Sequence, residues 1–207
     1  MPTRLSCRLA SATFRSVEHV DLDPTLVEIR PLREADDLSA FACGDTDLDE
    51  FLRNDAARLQ ALNIVRVYTS FTDGALVGYV AILNDTVVLK TPDKKKLALN
   101  HDDHPAIPAV KIARLAVDAS FRQRVSGMGK HLVRFAFHLA RAQADQIGCR
   151  LLTVDAYKAS VGFYENLGFV RNKVKASDGE KLAVDEDTIS MRLDLAETPS
   201  WADEKSD

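Results

Sequence analysis

Ile112-Ala113-Arg114-Leu115-Ala116-Val117-Asp118 runs on into Phe121-Arg122-Gln123-Arg124-Val125-Ser126-Gly127-Met128-Gly129-Lys130-His131-Leu132, and this stretch decides the fold. It sets an apolar strand, two glycines and the start of a helix in close succession. Glycine lets the backbone turn sharply and approach a ligand, and the first N–H groups of a helix, at the positive end of its dipole, suit a phosphate. Taken alone, two glycines before a helix describe either a pyrophosphate cradle or an ordinary strand-to-helix turn.

Downstream, apolar spacing predicts a helix over Gly129 to Gln146 closed by Gly148, a strand over Leu151 to Ala156, and a helix over Ser160 to Leu167 closed by Gly168. Strand, crossover helix and strand together require a sheet with a parallel pair. Upstream, Thr25 to Pro31 reads as a first strand. Asp45, Thr46 or Asp47 can then cap a helix whose Leu48, Phe51, Leu52, Ala56, Leu59 and Leu62 share one face. Val65 to Phe71 and Ala75 to Leu83 flank Asp73-Gly74 as a hairpin, and Thr86 to Lys90 is a further β-like run. Thr91 to Pro108, with Pro92, Pro105, Pro108 and three adjacent lysines, reads as a long loop.

The chain has 207 residues with 46% hydrophobic content, enough for one large domain. We divide it into an extension (1–24), a domain (25–195) and an acidic, flexible tail (196–207). A net charge of −4 gives no general affinity for nucleic acid or anionic membrane. Cys7, Cys43 and Cys149 are odd in number and far apart, as reduced thiols would be. No run is long and apolar enough for a signal peptide or a membrane span, so a cytoplasmic protein without membrane contact is expected.

Arg124-Val125-Ser126-Gly127-Met128-Gly129 resembles the Arg/Gln-x-x-Gly-x-Gly/Ala signature of the GNAT acetyltransferases, and the preceding Arg-Leu-Ala-Val-Asp resembles that family's central strand. A second landmark, Phe163-Tyr164-Glu165-Asn166-Leu167-Gly168-Phe169, follows at the family's distance. The resemblance spans roughly 25–195. It implies an α/β fold with a mixed sheet flanked by helices, in which two central parallel strands splay apart around acetyl-CoA. It also implies that Leu115, Ala116 and Val117 hold the pantetheine arm, that the amides of Val125, Ser126, Gly127, Met128, Gly129 and Lys130 hold the pyrophosphate, and that Arg122 or Arg124 supports the loop. The connection from Val117 to Gly127 is about two residues longer than usual. Tyr157 stands where many relatives carry an Asn and is carried over as a cofactor contact.

Direct acetyl transfer needs a neutral amine, a donor for the developing oxyanion and an acid for the leaving thiolate. In the family context Tyr164 is that acid, although a tyrosine with such neighbours is otherwise a packing residue. The Lys111 to Val117 strand lacks the Glu that many relatives use as a base. A water, Asp155 or an already neutral amine remains open for that role, and the Val117 N–H could hold the oxyanion. His101 and His104 have ligand chemistry but belong to a polar loop, and His131 and His138 share a helix face without a third ligand, so no metal is expected.

Phe41 to Leu52 resembles the amino-terminal helix of the GNAT toxins, which acetylate the amino group on charged tRNA. That reading calls for a basic groove from Arg58, Arg66, Lys90, Lys94, Lys95, Lys96, Lys111 and Arg114, and for an antitoxin partner. Our main expectation is an N-acetyltransferase for an amine-bearing acceptor not yet identified. Aminoacyl-tRNA and a non-catalytic acetyl-CoA-binding module are the alternatives, and a homodimer is left open.

Overall fold

The computed structural model describes residues 20–89, 91–100, 106–172 and 187–203. In chain order, β1 (Val20–Asp21) and β2 (Glu28–Pro31) precede α1 (Thr46–Glu50), a wide π turn (Phe51–Asp55) and α2 (Ala56–Ala61). Then come β3 (Arg66–Thr72), β4 (Ala75–Val88), α3 (Thr91–Lys96), β5 (Ala106–Val117), α4 (Ala119–Arg122), β6 (Val125–Ser126) and α5 (Met128–Ile147). The described chain closes with β7 (Leu151–Tyr157), α6 (Val161–Asn166), β8 (Val170–Arg171) and β9 (Thr188–Asp194). Seven strands form one mixed sheet in the order β2-β3-β4-β5-β7-β9-β8, and only β5 and β7 are parallel neighbours in it.

The sheet is covered on both faces. α5 turns Met128, Leu132, Val133, Ala136, Phe137 and Ala140 into the main core, at the three- and four-residue recurrence of a helix stripe. On the opposite face, Leu52 and Ala56 join Phe41, Val67, Tyr79 and Ala81 in a second cluster. Asp45 caps α1 by accepting from the N–H groups of Asp47 (3.0 Å) and Leu48 (3.3 Å).

One register irregularity shapes the middle of the sheet. β5 and β7 pair only from Ala109↔Leu151 to Ile112↔Val154, whereas β5 stays paired with β4 as far as Val117↔Gly78. Ile112 pairs with Ile82 and Arg114 with Ala81, so Ala113 is an extra residue in β5. A bulge bends its own strand. It sits where β5 leaves β7, and from there to Val117 one backbone edge of β5 has no strand partner among the described residues.

Four readings of the sequence need correction. Thr86 to Lys90 begins no new strand, because Asn84 and Asp85 stay in register with Val110 and Ala109 and β4 continues to Val88. Thr91 to Pro108 is not a plain loop. α3 occupies Thr91–Lys96, held by a buried Asp93–Arg192 ion pair (3.2 Å) and by Leu97, which packs with Leu89, Ile107 and Leu151. Residues 20 and 21 of the extension form β1, parallel to β6. Finally, the acidic tail packs as far as it is described. Trp201 is buried, donates from Nε1 to the Leu167 carbonyl (3.1 Å) and meets Phe137 edge-on. The acidity of the segment hid one indole large enough to anchor it. Residues 1–19, with Cys7, and the His101–His104 loop lie outside the described residues.

Candidate active site

The splay of β5 from β7 opens a cleft of about 1120 Å³. Leu115, Ala116, Val117, Arg122, Val125, Ser126, Gly127, Met128, Gly129, Lys130, Tyr157 and Tyr164 all line it. Arg124 does not, and its Nε donates instead to the Ser120 carbonyl (3.2 Å). Arg122 reaches the Cys43 carbonyl at 3.3 Å and so ties α4 to the segment before α1.

The glycine loop has the shape a pyrophosphate needs. Gly127, at the N-cap of α5, has φ +91°, a conformation that L side chains resist. The first helical bond runs from His131 N to Gly127 O (2.9 Å), so the amides of the first turn open onto the cleft. A Cβ on Gly129 would stand 3.4 Å from the Phe163 ring, so Phe163 packs over the backbone at this position. The free edge of residues 113–117 offers N–H and C=O groups to an extended, amide-bearing arm as a neighbouring strand would. These residues fit a pantetheine diphosphate.

Tyr164 projects from α6 between Phe163 (5.0 Å between centroids) and Phe169 (5.3 Å), both edge-on. Burial pushes its phenol pKa up, so the hydroxyl keeps its proton at neutral pH and is a donor. Cys43 also lines the cleft. Burial, with the Asp49 carboxylate beside it, pushes its thiol up to about 11, so it is no thiolate nucleophile near neutral pH.

Beyond the tyrosine the lining turns polar. The Tyr157 hydroxyl donates to Asp47 (3.4 Å), and Arg114 pairs with the same carboxylate (3.4 Å). Burial and the nearby Asp45 and Asp47 raise the Tyr157 phenol pKa. Lys111 on β5 pairs with Asp155 on β7, and Asp85 accepts from the Thr153 hydroxyl (2.7 Å). Asp45, Asp47, Asp85 and Asp155 line the cleft together with Lys111, Arg114, Arg122 and Lys130, so the carboxylates that could meet a protonated amine are matched in number by cations.

An acetyltransferase (GNAT) domain model matches residues 65–171. A tRNA-acetylating toxin of Mycobacterium tuberculosis is 30% identical over 141 residues, which cover 68% of this chain and 82% of that protein. The chain belongs to the GNAT acetyltransferases. Among solved GNAT structures, AtaT complexed with acetyl-methionyl-tRNAfMet has a TM-score of 0.64 at 25% identity, covering 79% of this chain and 93% of that one. A mutant AtaT toxin bound to the C-terminus of the antitoxin AtaR and acetyl-CoA has a TM-score of 0.62 at 23% identity, covering 83% and 94%.

Of the basic residues anticipated for a nucleic-acid groove in this GNAT acetyltransferase, Arg66, Lys95 and Lys96 are exposed, and the other described ones are engaged or buried. Lys94 is buried, Arg58 pairs with Asp55 (2.7 Å), and Lys111 and Arg114 are engaged with Asp155 and Asp47. Lys90 lies outside the described residues. Among the described residues no three ligand-type side chains gather for a metal. His138 meets the Ala202 carbonyl (3.0 Å) and His131 meets Arg134 (3.1 Å). No described helix is long and apolar enough to cross a membrane. Sequence reasoning missed Phe163 as the cover of Gly129 and Asp47 as the shared partner of Tyr157 and Arg114. The Asp47 contacts had no signal, because they join α1 to β5 and β7 across the cleft.

Proposed function

We propose that this GNAT acetyltransferase moves the acetyl group of acetyl-CoA to the α-amino group of an aminoacyl-tRNA, as a toxin. The observation that carries the acceptor assignment is the 30% identity over 141 residues to a tRNA-acetylating toxin. Our first expectation from sequence left the amine-bearing acceptor unidentified, and this similarity supports the aminoacyl-tRNA alternative.

Acetyl-CoA supplies an activated thioester, and the chain's own groups do the rest. The glycine loop and the first turn of α5 hold the diphosphate, while the open edge of β5 aligns the arm. The Val117 N–H stabilises negative charge on the acetyl oxygen. Tyr164 returns a proton to the departing sulfur, which its raised pKa permits at neutral pH. The carboxylates at the far end draw in the amine, and Asp155 or a water takes up its proton. With Cys43 protonated, direct attack is preferred to an acetyl-enzyme.

The aminoacyl end of the tRNA is the part that enters the cleft, where its α-amino group is the acceptor. By the same similarity an antitoxin is the expected protein partner, and both substrates are cytoplasmic molecules. The test is acetyl transfer from labelled acetyl-CoA to aminoacyl-tRNA, deacylated tRNA, free amino acids and small amines. Label on aminoacyl-tRNA alone is expected. Turnover on small amines with none on aminoacyl-tRNA would overturn the acceptor assignment, and acetyl-CoA binding without any transfer would leave a binding module.

A further inference from the structure

β1 lies outside the main sheet, and among the described residues its only strand partner is the segment that leads into the glycine loop. Val20 pairs with Val125 and Asp21 with Ser126. The Val20 N–H donates to the Arg124 carbonyl (2.9 Å) and the Leu22 N–H to the Ser126 carbonyl (3.0 Å). The Ser126 hydroxyl donates to Asp21 Oδ1 (2.5 Å). Leu22 is packed against the main core, and its Cβ would lie 3.6 Å from a Cβ on Gly127.

These bonds orient the loop. The C=O and N–H of one trans peptide group point in opposite directions, so securing the Arg124 and Ser126 carbonyls on β1 turns the Val125 and Gly127 N–H groups the other way, toward the cleft those residues line. Gly127 then enters α5 in its left-handed conformation with Leu22 behind it. A two-residue strand and a Gly-Met-Gly turn have little intrinsic rigidity, and a phosphate ligand would otherwise have to bear the cost of ordering them.

We propose that residues 20–22 brace the phosphate loop, with Asp21 a positioning residue that raises affinity for the diphosphate of acetyl-CoA through Ser126. The inference rests on the assignment of that diphosphate to the Val125–Lys130 loop. The brace acts by hydrogen bonding rather than by charge, since the Asp21 carboxylate bears the same sign as the ligand.

The experiment is calorimetric titration of the full chain with acetyl-CoA, and with acetyl-pantetheine, which lacks the diphosphate. Val20→Pro deletes one ladder N–H at an exposed side chain, and Asp21→Ala deletes the acceptor for Ser126. Each should weaken acetyl-CoA binding by about fivefold to tenfold, the scale expected when preorganisation is lost. Acetyl-pantetheine affinity and the KM of the acceptor should not change. Asp21→Asn keeps an acceptor oxygen without the charge and should bind acetyl-CoA at least as tightly as wild type. Gly127→Val separates the two layers of the argument. If it leaves acetyl-CoA binding intact, the loop assignment itself fails. If it weakens binding while Val20→Pro and Asp21→Ala bind like wild type, the loop stands and the brace is overturned. A parallel loss of acetyl-pantetheine binding, or no rescue by Asn, would reduce β1 to a general stabiliser and also overturn the proposal.

Discussion

Lys111 on β5 is ion-paired with Asp155 on β7 just where the two strands part, so the pair lies in the lining of the cleft, which we propose admits the acceptor there. Both side chains keep contact with solvent, which limits what the pair contributes to stability. Its consequence is electrostatic. Asp155→Asn would leave the Lys111 ammonium uncompensated where a protonated amine enters, and like charges about 4 Å apart repel by roughly 1 kcal/mol even in water. We expect kcat/KM for the acceptor to fall by about tenfold, with the KM for acetyl-CoA unchanged. Steady-state kinetics with each substrate varied in turn would show it. An equal effect on both substrates would argue against an acceptor-side role.

Trp201→Ala tests the packed C-terminal segment. The indole is buried against Phe137 and donates to Leu167, so its removal opens a cavity and strands a carbonyl. Aromatic-to-alanine changes in a core cost about 3–5 kcal/mol, enough to lower Tm by roughly 10 °C in a chain of this size. Urea and thermal unfolding would measure the loss, while kcat at a temperature where the variant is folded should stay close to wild type.

The hairpin and the parallel pair were legible because period-2 runs, the Asp73-Gly74 turn and the closing glycines Gly148 and Gly168 are local signals, whereas the central splay came only from the resemblance to the GNAT family. The glycine loop and Tyr164 were legible as paired landmarks on either side of β7. What sequence did not show depends on contacts between distant segments. Asp21 meets Ser126 across more than a hundred residues, and Tyr157 meets Asp47 likewise. α3 was hidden for another reason, since Pro92 and three lysines look like loop residues. Its place is set by Asp93 on Arg192 and by Leu97 in a small apolar cluster. Arg124 fitted the family signature, yet its side chain bonds to the backbone of α4.

Gly127→Ala examines backbone shape rather than bulk. The nearest atom to a new Cβ is 3.6 Å away, an ordinary contact, so the cost comes from φ +91°. Holding an L residue in the left-handed region costs of order 1–3 kcal/mol. Relaxation toward negative φ would turn the neighbouring amides away from the cleft. Acetyl-CoA affinity should fall about tenfold or more, and a thermal-shift titration would follow it, since a ligand that binds only the folded state raises Tm by mass action. Unchanged protection by acetyl-CoA would show that the loop conformation does not matter for binding.

Tyr164→Phe removes one hydroxyl and keeps the ring between Phe163 and Phe169, so catalytic and packing roles give different outcomes. Loss of a general acid lowers turnover by about 10²- to 10⁴-fold. Acetyl-CoA affinity and Tm should stay near wild type, because the ring and its burial persist. The pH profile supplies a second, independent check. Burial raises the phenol pKa above its ordinary value, so the acid form is fully present below pH 10 and is lost only on the alkaline side of that. Activity of the wild type should therefore rise with pH as the acceptor amine loses its proton and then hold a plateau, with no descending limb through pH 9. The Phe variant should keep the ascending limb at a much lower plateau. Wild-type turnover in the variant, measured in single-turnover mode so that product release does not mask the chemical step, would assign Tyr164 to packing alone.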